Sequence, residues 1–109
     1  MTGLGSKSLT IIWTEPALAD LDQIADYIAL DKPDTANRLV LRIFESVERL
    51  AHFPKSGSCS KELQGTTYRH LAVPPLRLFY RLQTSQIFII YVMRGEKLFL
   101  HEDLIERDR

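Results

Sequence analysis

At 109 residues, 45% apolar and 26% charged, the chain has the composition of a globular protein with one hydrophobic core and too little length for two. Its 14 basic side chains balance 14 acidic ones, no apolar run approaches the roughly 20 residues of a membrane helix, and Met1 to Ser8 hold no secretory apolar stretch. The lone Cys59 excludes an internal disulfide and a multi-cysteine metal site, so a cytoplasmic protein with no metal, cofactor or membrane partner is expected.

In chain order, Leu9 to Trp13 carries a short strand signal. Thr14 then offers an N-cap oxygen, and Pro16 sits in the first turn of a helix. From Ala17 to Leu30 the apolar residues Ala17, Leu18, Leu21, Ile24, Ala25 and Ile28 recur at helical spacing, while Asp20, Asp22, Gln23 and Asp26 lie off that stripe. Asp31 to Asp34 breaks the pattern. A second amphipathic helix, about Thr35 to Ala51, follows with Ala36, Leu39, Val40, Ile43, Phe44, Val47 and Leu50 inward. Its Glu45 and Arg49 have the spacing of a helix ion pair. Two such helices with a short joint predict an αα-hairpin. Pro54 and Gly57 end it, and Cys59 to Thr67 reads as loop.

The second half reads as strands. Tyr68 to Val73 leads to Pro74-Pro75, then Leu76 to Leu82, a break at Gln83 to Gln86, and Ile87 to Arg94. A Thr84-Ser85 turn sets Leu82 opposite Ile87, Arg81 opposite Phe88 and Arg77 opposite Val92. Strict alternation then assigns Leu76, Leu78, Tyr80, Leu82, Ile87, Ile89 and Tyr91 to a face buried by the helices. The other face receives Arg77, Phe79, Arg81, Phe88, Ile90, Val92 and Arg94, an apolar surface set with arginines. Residues 101–109 are charged and read as either one helical turn or a frayed tail, and residues 1–8 as a flexible start. The whole, residues 1–109, is expected to be a single α+β domain: an N-terminal strand, an αα-hairpin, and an antiparallel sheet of three to four strands on the helices.

Charge is unevenly spread. Residues 66–97 hold Arg69, Arg77, Arg81, Arg94 and Lys97 against Glu96, a net +4, flanked by segments of −2 on each side. A local positive field suggests an anionic partner, unless the arginines pair with the acidic flanks. No phosphate loop, metal spacing or serine triad accompanies them. His70 and His101 are the remaining acid–base candidates, and His52 suits a helix C-terminus.

Trp13-Thr14-Glu15-Pro16-Ala17, Asp20-Leu21, Ile24, Tyr27-Ile28, Pro33, Ala36, Ile43, Val47 to Leu50, Phe53-Pro54, Gly57, Arg69, Val73-Pro74, Tyr80-Arg81 and Val92 form an ordered series. In it the chain resembles the RelE/ParE superfamily of type II toxins over nearly its whole length. The resemblance implies a sheet packed on an αα-hairpin, and an antitoxin bound as a toxin–antitoxin hetero-oligomer. It also offers two activities: RelE-like mRNA cleavage on the ribosome, with a basic sheet face, or ParE-like inhibition of DNA gyrase by binding.

Arg69, Arg77 and Arg94 stand where RelE-like enzymes keep basic residues. However, Leu71 replaces a second basic residue, and Met93-Arg94-Gly95 stands where a closing His-Tyr pair would be. Arginine is a poor proton shuttle, leaving only His70 and His101 for that work. The ParE-like branch is therefore the expected one, with mRNA interferase, or a member that only binds antitoxin, as alternatives. The residues expected to meet the target are Arg69, Arg77, Arg81, Arg94 and Lys97. Those expected to meet the antitoxin are Phe79, Phe88, Ile90 and Val92.

Overall fold

The computed structural model describes residues 8–59, 63–95 and 101–108. Its elements are β1 (Thr10–Trp13), α1 (Glu15–Ala29), α2 (Pro33–His52), β2 (Tyr68–Val73), β3 (Leu76–Gln83), β4 (Gln86–Arg94) and α3 (His101–Arg107). The Thr14 hydroxyl starts α1 by accepting from the Ala17 N–H at 3.3 Å. It also donates to the Ile89 carbonyl at 2.8 Å, so the cap fixes α1 to β4. Pro33 opens α2, where its missing N–H is not needed. No described helix is long and apolar enough to cross a membrane.

The sheet order is β1-β4-β3-β2. The three later strands are antiparallel as expected, and β1 joins them parallel to β4. β2 and β3 are joined through a cis Pro74–Pro75 bond. Thr84-Ser85 forms the hairpin turn, with Leu82 opposite Ile87 and Arg81 opposite Phe88.

Beyond that point the register departs from strict alternation. Tyr80 faces Ile89 but Phe79 faces Tyr91, so Ile90 is an extra residue in β4 and Arg77 meets Met93 instead of Val92. One inserted residue reverses every later side chain. Tyr91, expected beneath the helices, lies on the opposite face. Val92 and Arg94, expected on that opposite face, turn to the helix side, where Val92 enters the main core.

Two cores result. On the helix side, Leu21, Leu39, Ile43, Val47 and Leu50 bury Leu78, Tyr80, Ile87 and Ile89. Phe44, expected in this core, is 42% exposed because it flanks α2 beside Trp13. On the other side, Leu104 of α3 and Leu63 close over Tyr68, Phe79, Ile90 and Met93. The face expected to meet a partner is thus covered from within the chain, and the segment read as one helical turn or a frayed tail is a helix seated on the sheet.

Tyr80 ties the main core to the loop after α2. Its buried hydroxyl donates to the Pro54 carbonyl at 2.8 Å and accepts from the Gly57 N–H at 3.0 Å. A Cβ at Gly57 would overlap that hydroxyl. Burial raises the phenol's pKa above the ordinary 10.0, against the Gly57 N–H and the Arg69 charge, which lower it. The folded state therefore holds this proton more tightly than the unfolded chain. Its contribution is full below the ordinary tyrosine value and is lost as pH rises through the higher folded value. Tyr80→Phe leaves the Gly57 N–H and Pro54 C=O without this partner and should cost about 1–3 kcal/mol in urea unfolding at neutral pH. It should also flatten part of the fall in stability on the alkaline side of pH 10.0.

Candidate functional site

Alternation along β3 turns Arg77, Phe79 and Arg81 to the α3 side. Arg81 lies over the Phe88 ring, 4.5 Å from its centroid. Its Nε donates to Asp108 Oδ2 at 2.7 Å and its Nη2 to Asp108 Oδ1 at 3.1 Å, a two-pronged grip on the carboxylate. The Tyr68 hydroxyl adds a third bond to Asp108 at 3.1 Å. Burial first, and then this carboxylate, push the Tyr68 phenol's pKa up. Arg77 is half-buried, its guanidinium 5.1 Å from the Phe79 ring centroid.

A second grip holds the other side of α3. Arg107 donates to both oxygens of Asp20, at 2.7 and 2.6 Å, and lies 3.9 Å over the Tyr91 ring. It also donates to the Ile90 carbonyl at 3.2 Å, while Asp20 accepts from the Val92 N–H at 3.1 Å. The Asp20 bond, outweighing burial, raises the guanidinium's already high pKa, so this grip stays charged. Arg107 and Asp108 thus clasp α3 to α1 on one side and to β2 and β3 on the other.

The expected site residues do not form one surface. Arg77 and Arg81 share the α3 face. Arg69 donates to the Gly57 carbonyl at 2.9 Å and serves the loop after α2. Arg94 is exposed on the helix side, in an open groove with Tyr27, Ile28, Leu30, Asp31 and Lys32. The His70 ring stacks 5.9 Å from Phe79. Lys97 and the His101 side chain lie outside the described residues. Of the apolar four, Phe79 and Ile90 are in the second core, Val92 is in the main core, and only Phe88 reaches the surface in part.

Arg107 and Asp108, which organise this region together with Asp20, carry no distinguishing signal in the sequence. The one signal was Asp20, a carboxylate beside the apolar stripe of α1 within the Asp20-Leu21 pair. Chemically, the α3 face offers guanidinium groups stacked on aromatics, suited to anions. Among the described residues no group of acidic, histidine or cysteine side chains could hold a metal ion.

The chain is similar to known proteins over most of its length. Residues 11–99 match the family described as the ParE toxin of the type II toxin–antitoxin system, parDE. Toxin RelE2 of Caulobacter vibrioides is 34% identical over 89 residues, covering 81% of this chain and 97% of that toxin. A chain of the chromosomal ParDE system from P. aeruginosa superposes with a TM-score of 0.70 at 28% identity, covering 84% of this chain and all of that one. A chain of the RelBE2 toxin–antitoxin complex from Mycobacterium tuberculosis shares the fold, with a TM-score of 0.55 at 21% identity over 80% of this chain and 98% of that one.

The clasp yields a prediction of its own. Arg107→Ala leaves the Asp20 carboxylate and the Ile90 carbonyl short of a partner and should cost about 1–3 kcal/mol. Because α3 then lifts more readily from Phe79 and Ile90, binding of a hydrophobic dye such as ANS should increase. Amide exchange in β4 near Val92 should quicken before that in β3. Unchanged exchange at Val92 would show that the clasp does not hold this edge.

Proposed function

This chain belongs to the ParE toxin family of type II toxin–antitoxin systems, and from that premise we propose that it inhibits DNA gyrase by binding, without catalysis, and is neutralised by a cognate antitoxin. The observation that carries the reading is the sealed α3 face. RNA cleavage of the RelE type needs groups that take a proton from a 2′-hydroxyl and give one to the leaving oxygen. On this face stand Phe79, Ile90 and Met93 in a closed core, with Arg81 engaged by Asp108. Arginine neutralises phosphate charge well but stays protonated. The cation best placed to meet a large partner is Arg94, in its groove with Tyr27, Leu30 and Lys32.

The antitoxin, in this reading, takes the place of α3. The expected contacts Phe79, Phe88 and Ile90 lie beneath or beside that helix, so an antitoxin segment would offer an apolar side chain where Leu104 sits and a carboxylate where Asp108 sits. The P. aeruginosa relative comes from a ParDE toxin–antitoxin system, which supports a partner of this kind. An mRNA interferase is the second reading, favoured by the identity with the Caulobacter toxin named RelE2.

Purified toxin should inhibit gyrase supercoiling and leave ribosome-bound message uncut. Inhibition should survive His70→Ala and fall about tenfold or more with Arg94→Glu, a charge reversal at an exposed contact. Codon-dependent cleavage in a translating extract, slowed about 10²–10⁴-fold by His70→Ala, would overturn the gyrase reading in favour of the interferase.

A further inference from the structure

Helix α2 has a second face. Ala36, Leu39, Ile43, Val47 and Leu50 turn to the sheet and are buried. On the opposite side Asp34, Arg38, Leu41, Glu45, Glu48 and His52 recur at spacings of three and four, and all of them are exposed. Phe44 flanks this stripe, its ring 5.2 Å from Trp13, yet it stays 42% exposed, and Leu41 stays 63% exposed. An open groove of about 540 Å³ runs past Leu41, Phe44 and Glu48. A neighbouring groove shares Phe44 and Glu48 and continues to Ile11 and Trp13 of β1. The apolar surface is therefore continuous from the free edge of the sheet to the outer side of α2.

The order of charges says what fits there. When the stripe is reversed about its middle, near residue 43, Asp34 falls opposite His52, Arg38 opposite Glu48 and Glu45 opposite Leu41, with Phe44 one step from Leu41 at the centre. Laid parallel to itself, the same stripe sets Arg38 on Arg38 and Glu48 on Glu48. It is thus complementary to its own copy in the antiparallel sense, as a two-fold axis requires. These charges are not committed elsewhere. Arg38 reaches only Thr35 Oγ1, at the long distance of 3.5 Å. Among the described residues Glu45 and Glu48 make no ion pair, and Arg49, four residues after Glu45, turns instead to the Ser46 hydroxyl at 3.3 Å.

We propose that α2 is an isologous interface between two copies of this chain. The helices lie antiparallel, with Leu41, Phe44 and Trp13 at the centre and Arg38 reaching Glu48 of the partner subunit at each end. The apolar centre supplies most of the affinity, and the exposed pairs chiefly set the register. One helix face is a small interface, so a reversible dimer with a dissociation constant on the order of 10 µM is expected.

Sedimentation velocity on the full chain, from about 1 to about 200 µM, spans that range. The wild type should pass from monomer to dimer. Arg38→Glu and Glu48→Arg should each weaken dimerisation about tenfold or more, because each sets like charges together. The double variant carrying both changes is again self-complementary and should return to within about threefold of the wild type. Circular dichroism confirms the fold of each variant. A wild type that stays monomeric throughout overturns the proposal, as does a double variant no tighter than the single ones. Charge reversals that weaken only the antitoxin complex, leaving self-association unchanged, would assign the face to the antitoxin and overturn it too.

Discussion

Where β4 runs past the end of β1, the Ile90 carbonyl and the Val92 N–H lose the strand that would otherwise pair with them, and the Asp20–Arg107 ion pair takes that strand's place. A buried backbone group without a partner costs about 1–3 kcal/mol, so an inserted residue at this edge is tolerable only with such a replacement. The two side chains come from α1 and α3, which cover opposite faces of the sheet. One pair therefore joins both layers to the strand between them. The apolar residues on the two faces could pack without it, but α1, β4 and α3 would lack a common fixed point.

The bulge also explains which parts of this fold could be read in the sequence. The Thr14 cap, the αα-hairpin and the Thr84-Ser85 turn each rest on neighbouring residues, and each is where the sequence places it. Register from Leu82 back to Tyr80 follows from that turn. After Tyr80 the alternation rule fails, since nothing in Ile89-Ile90-Tyr91-Val92, apolar throughout, marks which residue is the extra one. The carboxylate that satisfies the backbone beside it, Asp20, lies 72 residues before Val92. The clasp was hidden for the same reason. Arg107 and Asp108 sit in a charged tail of ordinary composition, and their partners Asp20, Tyr68 and Arg81 are all distant in the chain.

Electrostatics follows a similar division. The surplus of positive charge in residues 66–97 left two readings, an anionic partner or pairing with the acidic flanks. For Arg81 the second holds, because Asp108 of the acidic C-terminal segment receives it in two-pronged geometry with little exposure to water. Arg69 is engaged by backbone carbonyls, which ties the loop after α2 to β2 and leaves the guanidinium charge unneutralised. Arg94 is different. The bulge that carries Val92 into the core also turns Arg94 away from the other arginines and sets it beside the tip of the αα-hairpin. Two exposed cations, Arg94 and Lys32, beside Tyr27, Leu30 and Asp31 suit contact with a protein surface better than the tracking of a nucleic-acid backbone, which gains affinity through many neutralised phosphates.

The α3 helix sets the terms on which this toxin can meet a partner on its sheet. Seven residues are too few for a helix to persist on its own in water, where about 12–15 are needed even for favourable sequences. Its order is therefore borrowed from Leu104, from the two clasps, and from Glu102 and Asp103 at its positive end. Burying Leu104 contributes about 1.5–3 kcal/mol, and partly shielded ion pairs contribute less, so α3 belongs to the least stable part of the molecule. The face beneath it cannot stay open, since Phe79, Ile90 and Met93 would then meet water together. In the proposed exchange of α3 for an antitoxin segment, release of the helix and capture of an apolar, acidic stretch would be coupled, and a partner offering both chemistries would gain the surface at the cost of one marginal helix.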